Sequence, residues 1–252
     1  MNGEALIEAL DLPVNSRVNQ RVPKKLLLEK GAPTAADKRL ISEGIEELHW
    51  LAALKPTTIG VPEYRDDVRE YLEIAVLRLT LRAGANATRV AELIHRAIPY
   101  PVFLIQSQLG GLTSSLAHLR WSQGHSGQTV LDGPVTTATV GADTAAADPF
   151  IASLQVTSQP RQHLYAFYQG WLERFEAQAA ARLTGCFTPA PDAAAAERRR
   201  SALAEHERLI HEIAVVRARA GKETQLNRRV ELNLQLKQLE SRVAEVLGSL
   251  PH

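Results

Sequence analysis

The chain has 252 residues, of which 45% are hydrophobic and 23% charged, with a formal charge of +1; this is the make-up of an ordinary globular protein able to bury a sizeable core. So small a charge excludes a global field that would gather nucleic acid or anionic membrane, and any such binding must come from a local patch. Cys186 is the single cysteine, which excludes an intrachain disulfide and a cysteine-built metal cluster.

The opening segment carries Glu4 and Glu8 where a secretory signal needs a basic start and an apolar run. No apolar stretch is long enough to span a bilayer, so a soluble, cytoplasmic protein with no membrane contact is expected. Residues 3–10 place Ala5, Leu6, Ala9 and Leu10 on one side of a short amphipathic helix. From Val14 to Leu28, Val18, Val22 and Leu26 alternate with charge, and Pro23 demotes any strand to an edge or a bend. Thr34 reads as an N-cap with Asp37 at the third helical position, predicting a helix from Ala35 to about Glu46 with Leu40, Ile41, Gly44 and Ile45 inward.

Leu48–Leu54 is short and apolar, and periodicity leaves strand and helical turn both open. Tyr71–Arg82 alternates as a strand, with a slip from even to odd positions that predicts a bulge near Val76–Leu77. A helix over Thr88–Ala97 and a buried strand at Pro101–Ile105 follow. Turns at Gly110-Gly111 and Gly124–Gly127 introduce two hairpins through Val140, so the sheet is predicted to be mixed. Ala142–Pro149 reads as a surface loop. Gln162–Leu183 is an amphipathic helix carrying Leu164, Phe167, Tyr168, Trp171, Leu172 and Phe175, with Gly185 as its stop.

Beyond Pro191 no proline appears until Pro251. Asp192 is placed to cap a long helix reaching about Ala220, and Gly221 to permit a tight reversal. The second helix spaces Leu232, Leu236, Leu239, Val243, Val246 and Leu250 alternately by four and three, the seam of a coiled coil. So narrow a stripe must be covered by the other helix, by the body or by another protein.

Familiar catalytic patterns fail. Gly110-Gly111 lacks dinucleotide-turn spacing, Gly221-Lys222 lacks the rest of a phosphate loop, and there is no nucleophile elbow. A magnesium-dependent nuclease needs only gathered carboxylates and a lysine, and Glu43, Asp66, Asp67 and Glu73 are its candidates. Glu73 is followed by Ile74 and Ala75, however, so the acidic-x-lysine end of the usual signature is missing. A basic cluster of Arg17, Arg21, Lys24, Lys25, Lys30, Lys38 and Arg39, which Arg65, Arg69, Arg78 and Arg82 extend if the fold brings them together, can contact phosphates, or it can be a solvated face paired with Glu29, Glu43 and Glu46.

Several phrases stand in order along the chain. They are Arg21-Val22-Pro23-Lys24-Lys25-Leu26-Leu27, Ala32-Pro33-Thr34 with Ala36-Asp37-Lys38-Arg39, Glu46-Glu47-Leu48-His49-Trp50-Leu51 with Lys55-Pro56-Thr57-Thr58-Ile59, His95-Arg96-Ala97-Ile98-Pro99-Tyr100-Pro101, and Asn227-Arg228-Arg229-Val230-Glu231-Leu232-Asn233. Together they resemble a bacterial family catalogued as domain of unknown function 4391, over nearly the whole length. The resemblance implies an accessory member of a restriction-modification or phage-defence locus, beside Swi/Snf-like or DEAD-type helicases and DNA methyltransferases. It brings no established catalytic residues to carry over. It also implies a lysine where Leu119 stands, which weakens any contact that lysine would make.

The expectation is an α+β protein. Residues 1–188 form a mixed sheet flanked by helices, and residues 189–252 a C-terminal antiparallel, coiled-coil-like helical hairpin. The expected role is a non-enzymatic accessory subunit of a DNA-targeting system, with no cofactor and no metal. The basic cluster would touch DNA, and Leu232, Leu236, Leu239 and Val243 would bind the helicase or methyltransferase. The alternatives are the divergent nuclease and a scaffold that forms homo-oligomers through the hairpin.

Overall fold

Residues 3–108, 111–124, 127–140 and 148–250 are described by a computed structural model. It divides into two compact units, residues 1–175 and 176–252. The division falls inside a long helix and not at the linker around Thr188–Pro191. Of the predicted turns and loops, Gly110, residues 125–126 and residues 141–147 lie outside the described residues.

The first unit opens with helix α1 (Gly3–Ala9), whose Leu6 is buried, and edge strand β1 (Arg17–Arg21), exposed along its whole length. Pro23 supplies extended backbone just before α2 (Lys24–Lys30), because its missing N–H is no loss at a helix start. Thr34 caps α3 (Ala35–Arg39) as expected: its Oγ1 accepts from the Asp37 amide at 3.1 Å. The helix then widens into a π-turn, Leu40–Gly44, and Ile45 already belongs to β2 (Ile45–Leu54). The helix therefore ends two residues short of Glu46. α4 (Pro56–Ile59) and the small ribbon β3 (Tyr64–Arg65) and β4 (Glu70–Tyr71) lead to β5 (Ile74–Leu81).

The helix α5 (Ala87–Ala97) connects β5 to the parallel strand β6 (Val102–Gln108). Then come β7 (Gly111–Leu116), the ribbon β8 (Leu119–Trp121) and β9 (Thr129–Leu131), and β10 (Thr136–Val140). The main sheet runs β1-β2-β5-β6-β7-β10, with β5 and β6 parallel and the other neighbours antiparallel. This is the mixed sheet of an α+β fold. The expected bulge sits at the expected level but on the other strand. Trp50 faces Leu77 and Ala52 faces Val76, so Leu51 of β2 is the extra residue. β5 itself runs unbroken beside β6 from Ala75 to Thr80. Its even-odd slip arises because Ile74–Leu77 are all buried, as in a strand covered on both faces.

One face of the sheet packs Leu48, Leu77, Leu79 and Leu104 under Leu27, Ile41 and the α5 residues Val90, Leu93 and Ile94. Among the rings of the unit, Phe103 of β6 meets Trp171 edge-on at 4.8 Å, while Trp171 donates its indole N–H to the Leu154 carbonyl at 2.8 Å. Both belong to the first half of α7 (Leu164–Thr184) or its partners; α6 (Pro149–Ser153), capped by Asp148, contributes Phe150. Each fully buried large apolar side chain is worth about 1.5–3 kcal/mol, so these two layers hold the unit together.

The second unit contains the end of α7, stopped by Gly185 at φ 83°, and the helices α8 (Ala193–Lys222) and α9 (Leu226–Ser249). Asp192 caps α8, its Oδ1 accepting from the Ala195 amide at 2.7 Å. The ion pairs Glu205–Arg242 at 2.8 Å and Arg217–Glu240 at 3.0 Å fix the two helices antiparallel. Leu209, Ile213, Val216 and Leu239 form their core, flanked by Leu232, Leu236, Val243 and Val246. α8 runs through Gly221, and the chain reverses over residues 223–225, where the Glu223 carboxylate accepts from the Gln225 amide at 2.8 Å. Among the described residues no helix is long and apolar enough to cross a membrane.

Candidate functional site

The end of the α3 π-turn is where the basic residues meet. Helix carbonyls there lack intrahelical partners and concentrate partial negative charge, which draws cations. The Lys24 ammonium donates to the carbonyls of Ser42 at 3.1 Å and of Ile45. Arg82 donates to the Glu43 carbonyl at 3.2 Å, and Arg39 holds both Glu43 carboxylate oxygens at 3.0 Å. Arg21 reaches Glu47 at 3.8 Å. Partial burial, then repulsion from Arg82 and Arg21, holds the Lys24 pKa below its ordinary value. Arg21, Lys24, Arg39 and Arg82 thus form one basic knot, interleaved with the Glu43 and Glu47 carboxylates, and Arg21 and Lys24 line a groove of about 340 Å³ shared with Glu46 and Glu47.

The other predicted phosphate contacts stand apart from that knot or outside its bonds. Lys25 pairs with Glu29 along α2 at 3.8 Å. Arg17 lines a different groove of about 700 Å³, shared with Glu4, Glu8, Asp11 and Arg78. Lys38 is exposed on α3. Lys24 itself is engaged with backbone oxygens, so its first role is to cap the turn. Of the arginines expected to extend the cluster if the fold gathers them, Arg82 joins it through the β2–β5 pairing, which brings it to Gly44, whose carbonyl accepts from the Arg82 amide at 2.9 Å.

The four carboxylates of the nuclease alternative do not gather. Glu43 is held by Arg39. Asp66 closes its own turn, accepting from the Val68 and Arg69 amides at 2.8 and 2.6 Å and from the Tyr64 hydroxyl at 2.8 Å. Asp67 is exposed in that turn. Glu73 is buried against Lys55 at 2.9 Å, and this pairing raises the lysine pKa. Among the described residues no group of three or more His, Cys, Asp or Glu can hold a metal ion. The separation has a topological cause: Asp66 sits in the turn of the β3–β4 ribbon, outside the main sheet, whereas Glu73 stands just before β5.

Two polar clusters escaped sequence reading. In the first, Asp37 is buried and accepts from Arg89 Nε at 2.9 Å and from the Thr34 hydroxyl at 2.7 Å, which pulls its carboxyl pKa down, Arg89 being the larger cause. In the second, Gln169 donates its amide N–H to Glu173 at 3.2 Å, so its carbonyl oxygen faces His118 Nε2 at 2.8 Å. Nε2 therefore carries the proton, and His118 Nδ1 accepts from the buried Tyr71 hydroxyl. Arg69 lies 4.9 Å over the Tyr165 ring and pairs with Asp132 at 3.1 Å. This network fastens the two small ribbons to α7. Leu119, where the resemblance implies a lysine, is buried in the same region at 4% exposure, a packing position and not a contact surface.

The predicted partner-binding leucines are consumed by the hairpin. Leu239 is 5% exposed, and Leu232, Leu236 and Val243 pack against the same α8 core. What the hairpin leaves in solvent is a different set, Leu226, Val230 and Leu234 on α9 with Ile210 and Val215 on α8. Their four-residue spacing on α9 was present in the sequence and was overshadowed by the longer seam.

No curated protein and no solved structure matches the chain. One family model does, over residues 10–243, and its description is domain of unknown function (DUF4391). Matched across nearly its whole length, the chain belongs to that family.

Proposed function

We propose that the protein is a non-catalytic accessory subunit of a DNA-targeting restriction-modification or phage-defence system. In this reading the hairpin docks a Swi/Snf-like or DEAD-type helicase, or a DNA methyltransferase, encoded beside it, and the cationic knot on the first unit contacts DNA. The observation that carries it is the hairpin: once its own seam is closed, it still presents large apolar side chains to water, with Leu226 at 63% and Leu234 at 59% exposure. Exposed apolar residues in register on one helix face are the mark of an interaction surface. The separation of the nuclease carboxylates, each already partnered or turned to solvent, supports a binding role over a hydrolytic one. The family resemblance supplies the locus.

Affinity capture with the tagged full chain, co-expressed with the neighbouring helicase and methyltransferase, tests the proposal. Retention of one of them through a high-salt wash supports it. Failure to retain either, together with no shift of a duplex or single-stranded oligonucleotide, contradicts it.

A further inference from the structure

α9 has two apolar faces. With 3.6 residues per turn, Leu226, Val230 and Leu234 fall within about 80° of one another, and the seam of Leu232, Leu236, Leu239 and Val243 lies on roughly the opposite side. The seam is covered by α8, while the other ridge is open, with Val230 at 49% exposure between its two leucines. A helix apolar on opposite sides has the pattern of the middle member of a three-helix layer, and α8 covers only the seam side. Farther along the same face stand Lys237, Ser241, Ala244 and Gly248, small or long-stemmed residues that let a third helix lie close.

Charge selects what that helix is. Between Arg217 and Lys237 there are six basic residues, Arg217, Arg219, Lys222, Arg228, Arg229 and Lys237, against Glu223 and Glu231. Arg217 is paired with Glu240. The other five basic residues are exposed, and none is in an ion pair among the described residues. At the far end of the hairpin the charges are instead matched, Arg208 with Glu205 and Glu212 and Arg242 with Glu205. Two copies of the loop end would bring like charges together, which disfavours a second copy. Phosphates would use the arginines and leave the leucines in water, which disfavours nucleic acid. We infer that the Leu226–Val230–Leu234 ridge at the loop end of the hairpin is the docking face for an acidic amphipathic helix of a partner protein. This rests on the accessory-subunit reading and names the chemistry of its partner. The ridge spans about 12 Å, two turns of such a helix.

The test uses the full chain and a labelled synthetic peptide three heptads long, with leucine at the a and d positions and glutamate on the flanks. Controls replace glutamate by lysine, or leucine by serine. Anisotropy titration at about 0.1 M salt, where charges still act over about 10 Å, should show saturable binding of the leucine–glutamate peptide alone. Val230→Ser with Leu234→Ser should weaken it at least about tenfold, as should Arg229→Glu with Lys237→Glu, with circular dichroism unchanged. Equal binding of either control, or no loss in both variants, overturns the inference. So does a dimer by light scattering that Leu234→Ser dissolves. Captured locus partners separate the two readings. If the serine variant retains the partner as well as the native chain does, the ridge is wrong and the accessory role stands. If the native chain binds the peptide but retains no partner, the ridge stands and the accessory role falls.

Discussion

His95 is fully buried on α5, with Ser115 Oγ 3.0 Å from its Nε2, and burial pushes its pKa down to about 3. In the unfolded chain the same imidazole titrates near 6.5. The folded state therefore resists protonation while the unfolded state accepts it. Above pH 6.5 the histidine is neutral in both states and costs nothing; as pH falls from 6.5 toward 3 the unfolded state is increasingly favoured. At about 1.4 kcal/mol per pH unit, the first unit loses about 2 kcal/mol at pH 5, and about 5 kcal/mol is the ceiling once pH falls below both values. All three tryptophans, Trp50, Trp121 and Trp171, lie in residues 1–175, so their fluorescence follows this unit alone. Urea titrations at about pH 7.5 and 5 should show a midpoint drop in the native chain that His95→Gln largely abolishes, whatever that substitution costs at the higher pH. Equal drops in the two proteins would show that His95 is not held neutral and contradict its burial on α5.

Three further outcomes follow from the same geometry. A Cβ at Gly31 would stand 2.6 Å from the Ala97 Cβ and 2.7 Å from the Leu93 carbonyl, so Gly31→Ala should destabilise the first unit by about 1–3 kcal/mol in the tryptophan-monitored transition; a neutral effect would deny the close approach of α2 to α5. Gly221 has nothing within 4 Å of an added Cβ and lies inside α8, so Gly221→Ala should raise the helical transition of the hairpin by about 0.5–1 kcal/mol in circular dichroism. A loss there would restore Gly221 as the turn. If the knot binds DNA, Arg21→Ala and Arg39→Ala should each reduce the slope of log affinity against log salt by about 1, while Lys25→Ala leaves it unchanged; uniform effects across all three would mean diffuse charge and no site.

Local chemistry was legible where a single residue decides. Thr34 and Asp192 cap their helices through the side-chain bonds their types predict, and the four-three spacing of the second long helix found its seam. What escaped depends on pairing between distant segments. The extra residue at Leu51 is visible only once β2 is set against β5, and the slip in β5 had a different cause, burial on both faces. Which of the extending arginines joins Lys24 is likewise set by strand register, which carries Arg82 to Gly44. The turn after α8 was assigned to Gly221 on flexibility alone, although a glycine can also sit inside a helix stabilised by its neighbours. Periodicity marks an apolar stripe but does not say which of two stripes the chain covers itself, and here α8 packs on the stripe of Leu232, Leu236, Leu239 and Val243.

The central claim is that this chain works by holding a partner. Light scattering coupled to gel filtration, on the full chain co-expressed with the helicase or methyltransferase beside it, weighs that claim directly. The account predicts one peak whose mass is the sum of the chain and that neighbour. Separate peaks for the chain and each neighbour would contradict it.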